Sequence, residues 1–119
     1  MILVDTSVWA DHIRRNNERL AMLMADGQVL IHPFVVGELA LENLENREIY
    51  LTSLNSLPHS TMATDDEVMT MIETKALFGS GIGYVDVHLL AAARLSHARL
   101  WTNDKRLHSA DARLGLTSG

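Results

Sequence analysis

The chain contains no cysteine among its 119 residues, which excludes disulfide bonds and zinc sites built from thiolates. It has only two prolines and no internal repeat, low-complexity stretch or linker, so we expect one domain spanning residues 1–119. No apolar run approaches the length of a membrane span, and the first residues lack the basic segment of a signal peptide. These absences predict a cytoplasmic globular protein without a membrane partner.

Positive charge is also scarce, with 10 lysines and arginines against 15 acidic residues and a formal net charge of −5. This balance argues at first sight against a nucleic-acid partner. Two bound divalent cations would, however, bring the net charge close to zero. Basic residues cluster in two places: Arg14, Arg15 and Arg19, and then Lys105 and Arg106. Each cluster either lies on a solvated helix face or contacts phosphates beside an acidic centre.

Short apolar segments alternate with helical segments along the chain. We predict strands at 1–4, 29–31 and 99–101, with a weaker one at 57–61. The predicted helices begin near residues 6, 18, 33, 47, 65, 85 and 103, and the one from 33 runs to about 44. This order predicts an α/β fold in which a mainly parallel, short-stranded sheet is flanked by helices. In such sheets, ligands bind beyond the carboxyl ends of the strands.

Four acidic residues lie beside apolar runs, where these elements begin or end: Asp5, Glu38, Asp86 and Asp104. Asp5 and Asp104 follow predicted strands, and the other two lie in helices that can reach the same edge of the sheet. A carboxylate beside a core element needs a partner or a metal, and most of the four have no Lys or Arg next to them. Their pattern therefore predicts a site for a divalent cation.

Each acid taken alone has a simpler explanation. Asp5, Asp86 and Asp104 could accept backbone N–H bonds as helix caps, and Glu38 could be solvated or paired with an arginine. Two other functional classes also compete. One is a non-catalytic module whose acids receive a basic peptide from a partner, and the other is a different metal-dependent phosphohydrolase. A phosphatase of the haloacid dehalogenase type would require a second Asp two residues after Asp5, where Ser7 stands.

Four segments resemble, in order, those of PIN-domain ribonucleases, specifically the VapC-type toxins. They are residues 3–9 (LVDTSVW), 35–39 (VVGEL), 83–93 (GYVDVHLLAAA) and 100–107 (LWTNDKRL). Together they span essentially the whole chain with compatible spacing. The chain departs from the family in being compact, with only the brief segment 114–116 (LGL) as a candidate for a final edge strand after the last predicted helix.

The resemblance implies a PIN-like α/β/α sandwich and an endoribonuclease that depends on Mg²⁺ or Mn²⁺ and cuts RNA by water attack on a phosphodiester. The catalytic residues, which would hold one or two ions, are Asp5, Glu38, Asp86 and Asp104. The candidates for the hydrogen-bonded surroundings of the metal are Thr6, Ser7 and Thr102. Without metal, four close carboxylates should repel one another, so at least one should have a raised pKa.

The resemblance also implies partners. These are an RNA substrate, a second copy of the chain in a homodimer, and a cognate VapB-like antitoxin that covers the acidic pocket. The RNA-contact candidates are the two basic clusters: Arg14, Arg15, Arg19, Lys105 and Arg106. No DNA contact by this chain is expected.

Overall fold

The structure, a computed structural model, describes residues 1–115. Its strands are β1 (Ile2–Val4), β2 (Val29–Leu30) and β3 (Arg99–Trp101). Its helices are α1 (Thr6–Arg15), α2 (Glu18–Ala25), α3 (Pro33–Ala40), α4 (Arg47–Asn55), α5 (Asp65–Thr74), α6 (Tyr84–Leu95) and α7 (Lys105–Leu114). No helix within this part of the chain is long and apolar enough to cross a membrane.

The three strands form a parallel sheet in the order β2-β1-β3. Leu3 of the central strand pairs with Leu30 on one side and with Leu100 on the other. Leu3 and Val4 are fully buried, as expected for a parallel strand covered on both faces, which reads in sequence as a continuous apolar run. The predicted α/β fold is confirmed. Because β1 is central, the residue that follows it lies in the middle of the carboxyl edge.

Two predicted elements differ in the structure. The prediction of a weak strand at 57–61 is wrong, because only an isolated bridge between Ile31 and His59 forms there. Pro58 accepts a hydrogen bond from the Ile31 N–H but has no N–H of its own to extend the pairing. The helix predicted to reach 44 ends at Ala40, because the next residue, Leu41, is 89% exposed and has no core to pack against.

Two features define the start of α3. Pro33 occupies the first turn, where its missing N–H costs nothing. His32 precedes it, fully buried, and its Nδ1 accepts the Phe34 N–H at 3.0 Å. Burial lowers the pKa of His32 to about 4, so the ring is neutral at pH 7 and remains a hydrogen-bond acceptor. This cap fixes the beginning of the helix that carries Glu38.

At the other end of the described chain, Leu114 belongs to α7 and Gly115 closes that helix at a φ of +71°. Residues 114 and 115 are therefore not part of an edge strand. Residue 116, where the sequence left room for such a strand, lies outside the described residues, as does the end of the predicted domain.

Candidate active site

The four acidic residues lie on four different elements that meet at the carboxyl edge of the sheet, and we call this group the acidic edge. Asp5 follows β1 and Asp104 follows β3, so strand ends position both of them. Glu38 lies near the end of α3 and Asp86 in the first turn of α6. The rule that parallel strands bring their carboxyl ends together therefore places two acids directly, and two helices supply the others.

Asp5 is held by hydroxyl groups rather than used as a helix cap. The residue precedes α1, but its side chain makes no capping hydrogen bond. Instead its Oδ2 accepts hydrogen bonds from Ser7 Oγ and Thr102 Oγ1, both at 2.7 Å. The side chain is only 6% exposed. The cap explanation for Asp5 is therefore wrong, and its carboxylate is fixed in one orientation.

The same two hydroxyls tie Asp5 to the turn that carries Asp104. Ser7 Oγ accepts the Asn103 N–H at 2.9 Å, and Thr102 Oγ1 accepts the Asp104 N–H at 3.0 Å. Each hydroxyl can thus donate to Asp5 while it accepts from the backbone after β3. The ends of β1 and β3 are locked together by this network, which sets the relative position of their two acids.

Glu38 is oriented from the start of α1. Thr6 Oγ1 donates a hydrogen bond to Glu38 Oε1 at 2.6 Å, across 32 positions of sequence. Hydrogen bonds to a charged acceptor are short and comparatively strong. Among residues 1–115, Glu38 has no arginine or lysine partner, so the explanation of this acid as half of an ion pair is wrong.

Asp86 and Asp104 do act as helix caps, as their simpler explanation predicted. Asp104 Oδ1 accepts the N–H groups of Arg106 and Leu107 at 2.9 and 3.0 Å. Asp86 Oδ2 accepts the Gly83 N–H at 3.0 Å. Each cap uses one carboxylate oxygen and therefore leaves the other one available.

All four acids share this division between their two oxygens. One oxygen of each carboxylate is held by a hydroxyl or a backbone N–H. The remaining oxygens make no hydrogen bond within residues 1–115: Asp5 Oδ1, Glu38 Oε2, Asp86 Oδ1 and Asp104 Oδ2. Oriented carboxylates with one open oxygen each are the donors that a hard divalent cation prefers.

The acidic edge is not a closed metal cage. In the described part of the chain, no three carboxylate or imidazole groups come close enough together to form a ready-made cluster of ligands. Mg²⁺ usually keeps several waters and takes one or two protein carboxylates together with phosphate oxygens, so it does not require a closed cage.

The electrostatics of Asp86 show that the four acids act on one another. Burial raises the pKa of the Asp86 carboxyl above its ordinary value, and the hydrogen bond from Gly83 opposes that increase. The negative charges of the other three acids each raise it further. The prediction that one carboxylate would have a raised pKa is confirmed. Burial is the largest cause of this shift, and the charges of the other three acids add to it, so the four acids are close enough for their charges to act on Asp86.

The two basic clusters have different environments. Arg15 forms an ion pair with Asp11 at 2.7 Å, and Arg19 lies over the ring of Trp101 at 4.7 Å, while Arg14 is exposed. The second cluster, Lys105 and Arg106, occupies the first turn of α7 directly after Asp104. Only this second cluster adjoins an acid of the acidic edge in sequence and through a hydrogen bond.

Comparisons with known proteins agree with this geometry. Residues 2–113 match the PIN domain family. The chain is 44% identical over 117 residues to the protein named ribonuclease VapC32 in each of two strains of Mycobacterium tuberculosis, and the match covers 98% of this chain and 94% of each relative. No solved structure gives a significant match. The chain belongs to the PIN-domain family, and the predicted resemblance to VapC-type proteins is confirmed.

Proposed function

We propose that this protein is an endoribonuclease toxin that depends on Mg²⁺ or Mn²⁺ and hydrolyses RNA phosphodiester bonds at the acidic edge. The observation that carries the proposal is the division of each carboxylate into one oriented oxygen and one open oxygen, at the carboxyl edge of a parallel sheet. Membership of the PIN-domain family and the ribonuclease named among its relatives support the same activity.

The residues that would hold one or two ions are Asp5, Glu38, Asp86 and Asp104. When bound, a divalent cation would make hydroxide available from water near neutral pH and offset the negative charge of the phosphate. Asp5 would be the most rigid ligand, because two hydroxyls fix one of its oxygens and the other makes no hydrogen bond within residues 1–115. Ser7 and Thr102 would hold this orientation, and Thr6 would do the same for Glu38.

Titration of the protein with Mn²⁺ by calorimetry tests the site without knowledge of the RNA. We expect saturable binding by the wild type and none by Asp5→Asn, because the amide removes one of the open anionic oxygens. Asp26→Asn is the matched control: it removes one negative charge from an exposed residue after α2, and we expect it to bind like the wild type. Binding that survives in Asp5→Asn would remove this residue from the metal ligands. No binding by the wild type at millimolar metal would favour the non-catalytic acidic module.

The hydrogen bond between Thr6 and Glu38 gives a second prediction. We expect Thr6→Val to reduce Mn²⁺ affinity and RNA cleavage by roughly 10-fold, because groups that orient a ligand typically contribute 10–100-fold. The measurement is the initial rate of cleavage of total RNA at several Mn²⁺ concentrations. Thr74→Val is the control, since its hydroxyl donates only to the Thr70 carbonyl in α5. Equal rates for Thr6→Val and the wild type would show that Glu38 needs no such support.

We also propose that the protein forms a homodimer and is inhibited by a cognate VapB-like antitoxin that covers the acidic edge. Membership of the PIN-domain family supports both partners. Four neighbouring carboxylates, with an open oxygen on each, would attract a basic side chain from an inhibitor. For the first basic cluster, we propose that Arg14, Arg15 or Arg19 contacts RNA phosphates. Substitutions that remove the charges of these arginines would then make RNA binding less dependent on salt concentration.

A further inference from the structure

A cavity of about 280 Å³ lies beside the acidic edge, against one side of α7. It is lined by Ser80, Lys105, Arg106, Ser109, Ala110 and Arg113, and we call it the basic pocket. Three of its residues are cations and none is acidic. Arg106, Ser109 or Ala110, and Arg113 recur at the spacing of one helix face, so α7 presents them together. In a chain with net charge −5, this is a local concentration of positive charge.

Among the residues that the structure describes, no acidic partner neutralises these cations. Within residues 1–115, the only ion pair made by an arginine or lysine with an acid is that of Arg15 with Asp11. Arg113 donates a long hydrogen bond of 3.3 Å to the Lys75 carbonyl, which is uncharged. Lys105, Arg106 and Arg113 are all exposed. Their charges are therefore available to an anion from outside the described chain.

The stability of α7 does not explain two of the three cations. Lys105 and Arg106 are the first two residues of the helix, at the end where the helix dipole is positive. A positive charge there is unfavourable for the helix. Arg113 in the last turn has the favourable location, so it alone could be retained for the helix. Two cations placed against the dipole indicate a ligand.

The basic pocket is connected to the acidic edge through two short links. The Arg106 N–H donates to Asp104 Oδ1 at 2.9 Å, while the side chain of the same arginine lies on the backbone of Gly81. A Cβ at Gly81 would be 3.0 Å from both Cδ and Nη1 of Arg106, so a larger residue there would displace the end of this arginine side chain. The loop containing Gly81 continues to Gly83, whose N–H donates a hydrogen bond to Asp86 Oδ2. An anion bound by Arg106 would therefore lie next to two of the four acids.

We infer that the basic pocket binds a backbone phosphate of single-stranded RNA that neighbours the phosphate being cleaved. This inference rests on the proposed function, because the acidic edge defines which phosphate is cleaved. Fixed positive charge beside four carboxylates would offset part of their repulsion of a polyanion, and Lys105, Arg106 and Arg113 supply such charge. The contact is with the backbone and would therefore position the RNA without selecting its sequence.

The test measures binding of a short fluorescein-labelled single-stranded RNA by anisotropy, in chelator so that no cleavage occurs, at salt concentrations between about 50 and 200 mM. We expect Arg113→Gln to weaken binding at low salt and to reduce the slope of log affinity against log salt by about 0.7, the value for one lost phosphate contact. Arg113→Lys should retain most of the slope because it keeps the charge. Arg99→Gln is the control, since this exposed residue lies at the start of β3, at the opposite edge of the sheet.

The outcomes separate this inference from the proposed function. If Arg113→Gln binds RNA with the affinity and salt slope of the wild type, the basic pocket does not hold RNA, whether or not the enzyme cleaves. A lower slope in Arg99→Gln equal to that in Arg113→Gln would also overturn the inference, because the effect would then be one of net charge. If Arg113→Gln loses slope while the wild type cleaves no RNA with Mn²⁺ present, the pocket is retained and the nuclease proposal fails.

Discussion

Asp5→Asn is expected to reduce RNA cleavage by at least about 100-fold, because a metal contributes several kcal/mol to phosphoryl chemistry and each 1.36 kcal/mol is tenfold in rate. The substitution keeps one acceptor oxygen for the hydroxyls of Ser7 and Thr102, so the network that joins β1 to β3 can persist. What it removes is the second anionic oxygen. The loss should therefore appear in catalysis and metal binding while the folded structure is retained.

The measurement for Asp5→Asn combines the rate of cleavage of total RNA in Mn²⁺ with the thermal midpoint in chelator. Asp26→Asn again serves as the control for removal of one negative charge, and it should cleave at the wild-type rate. If Asp5→Asn cleaves RNA at the wild-type rate, Asp5 is not a catalytic residue. A large fall in its thermal midpoint would instead assign the residue a structural role, because the two strand ends would then have come apart.

Most of the fold was predictable because its elements carry local signals. Ile2-Leu3-Val4 is an uninterrupted apolar run, and the structure makes it the fully paired central strand. The false strand at 57–61 had weaker apolar character and depended on Pro58, which removes a donor at the point where pairing would have to extend. The early end of α3 depends on where the hydrophobic core ends. That boundary is set by tertiary packing and cannot be predicted from the local sequence around Leu41.

The positions of the acids were more predictable than their environments. Asp5 and Asp104 follow strands, so the geometry of parallel sheets was enough to bring them to one edge. The hydroxyl network was different, since Ser7 and Thr102 are 95 positions apart and nothing local relates them. These two residues were predicted only from the resemblance of their segments to those of a family. The hydrogen bonds are present in the structure, and we predict that they orient Asp5 toward a bound metal.

Asp86→Asn should have opposite effects on activity and stability. Burial and the three neighbouring acids raise the pKa of Asp86, which means that the folded protein disfavours its charged form. Such a group binds a proton more tightly in the folded state, so stability falls as pH rises from the ordinary value of 3.8 through the raised one. At pH 7 the full cost is present. Asn removes the charge and can still accept the Gly83 N–H, so we expect a thermal midpoint a few degrees higher and cleavage at least about 100-fold slower.

The pH dependence of the midpoint distinguishes this explanation from a general effect of the amide. The advantage of Asp86→Asn over the wild type should shrink as the pH falls, and it should vanish below about 3.8, where the wild-type carboxyl is also neutral. Addition of Mn²⁺ at pH 7 should raise the thermal midpoint of the wild type above that of Asp86→Asn, since the metal stabilises only the protein with the intact site. Asp26→Asn should show neither change. A variant that is less stable than the wild type at pH 7 in chelator would mean that the cap and the helix dipole outweigh the repulsion, and that the acidic edge stores no strain for a cation to relieve.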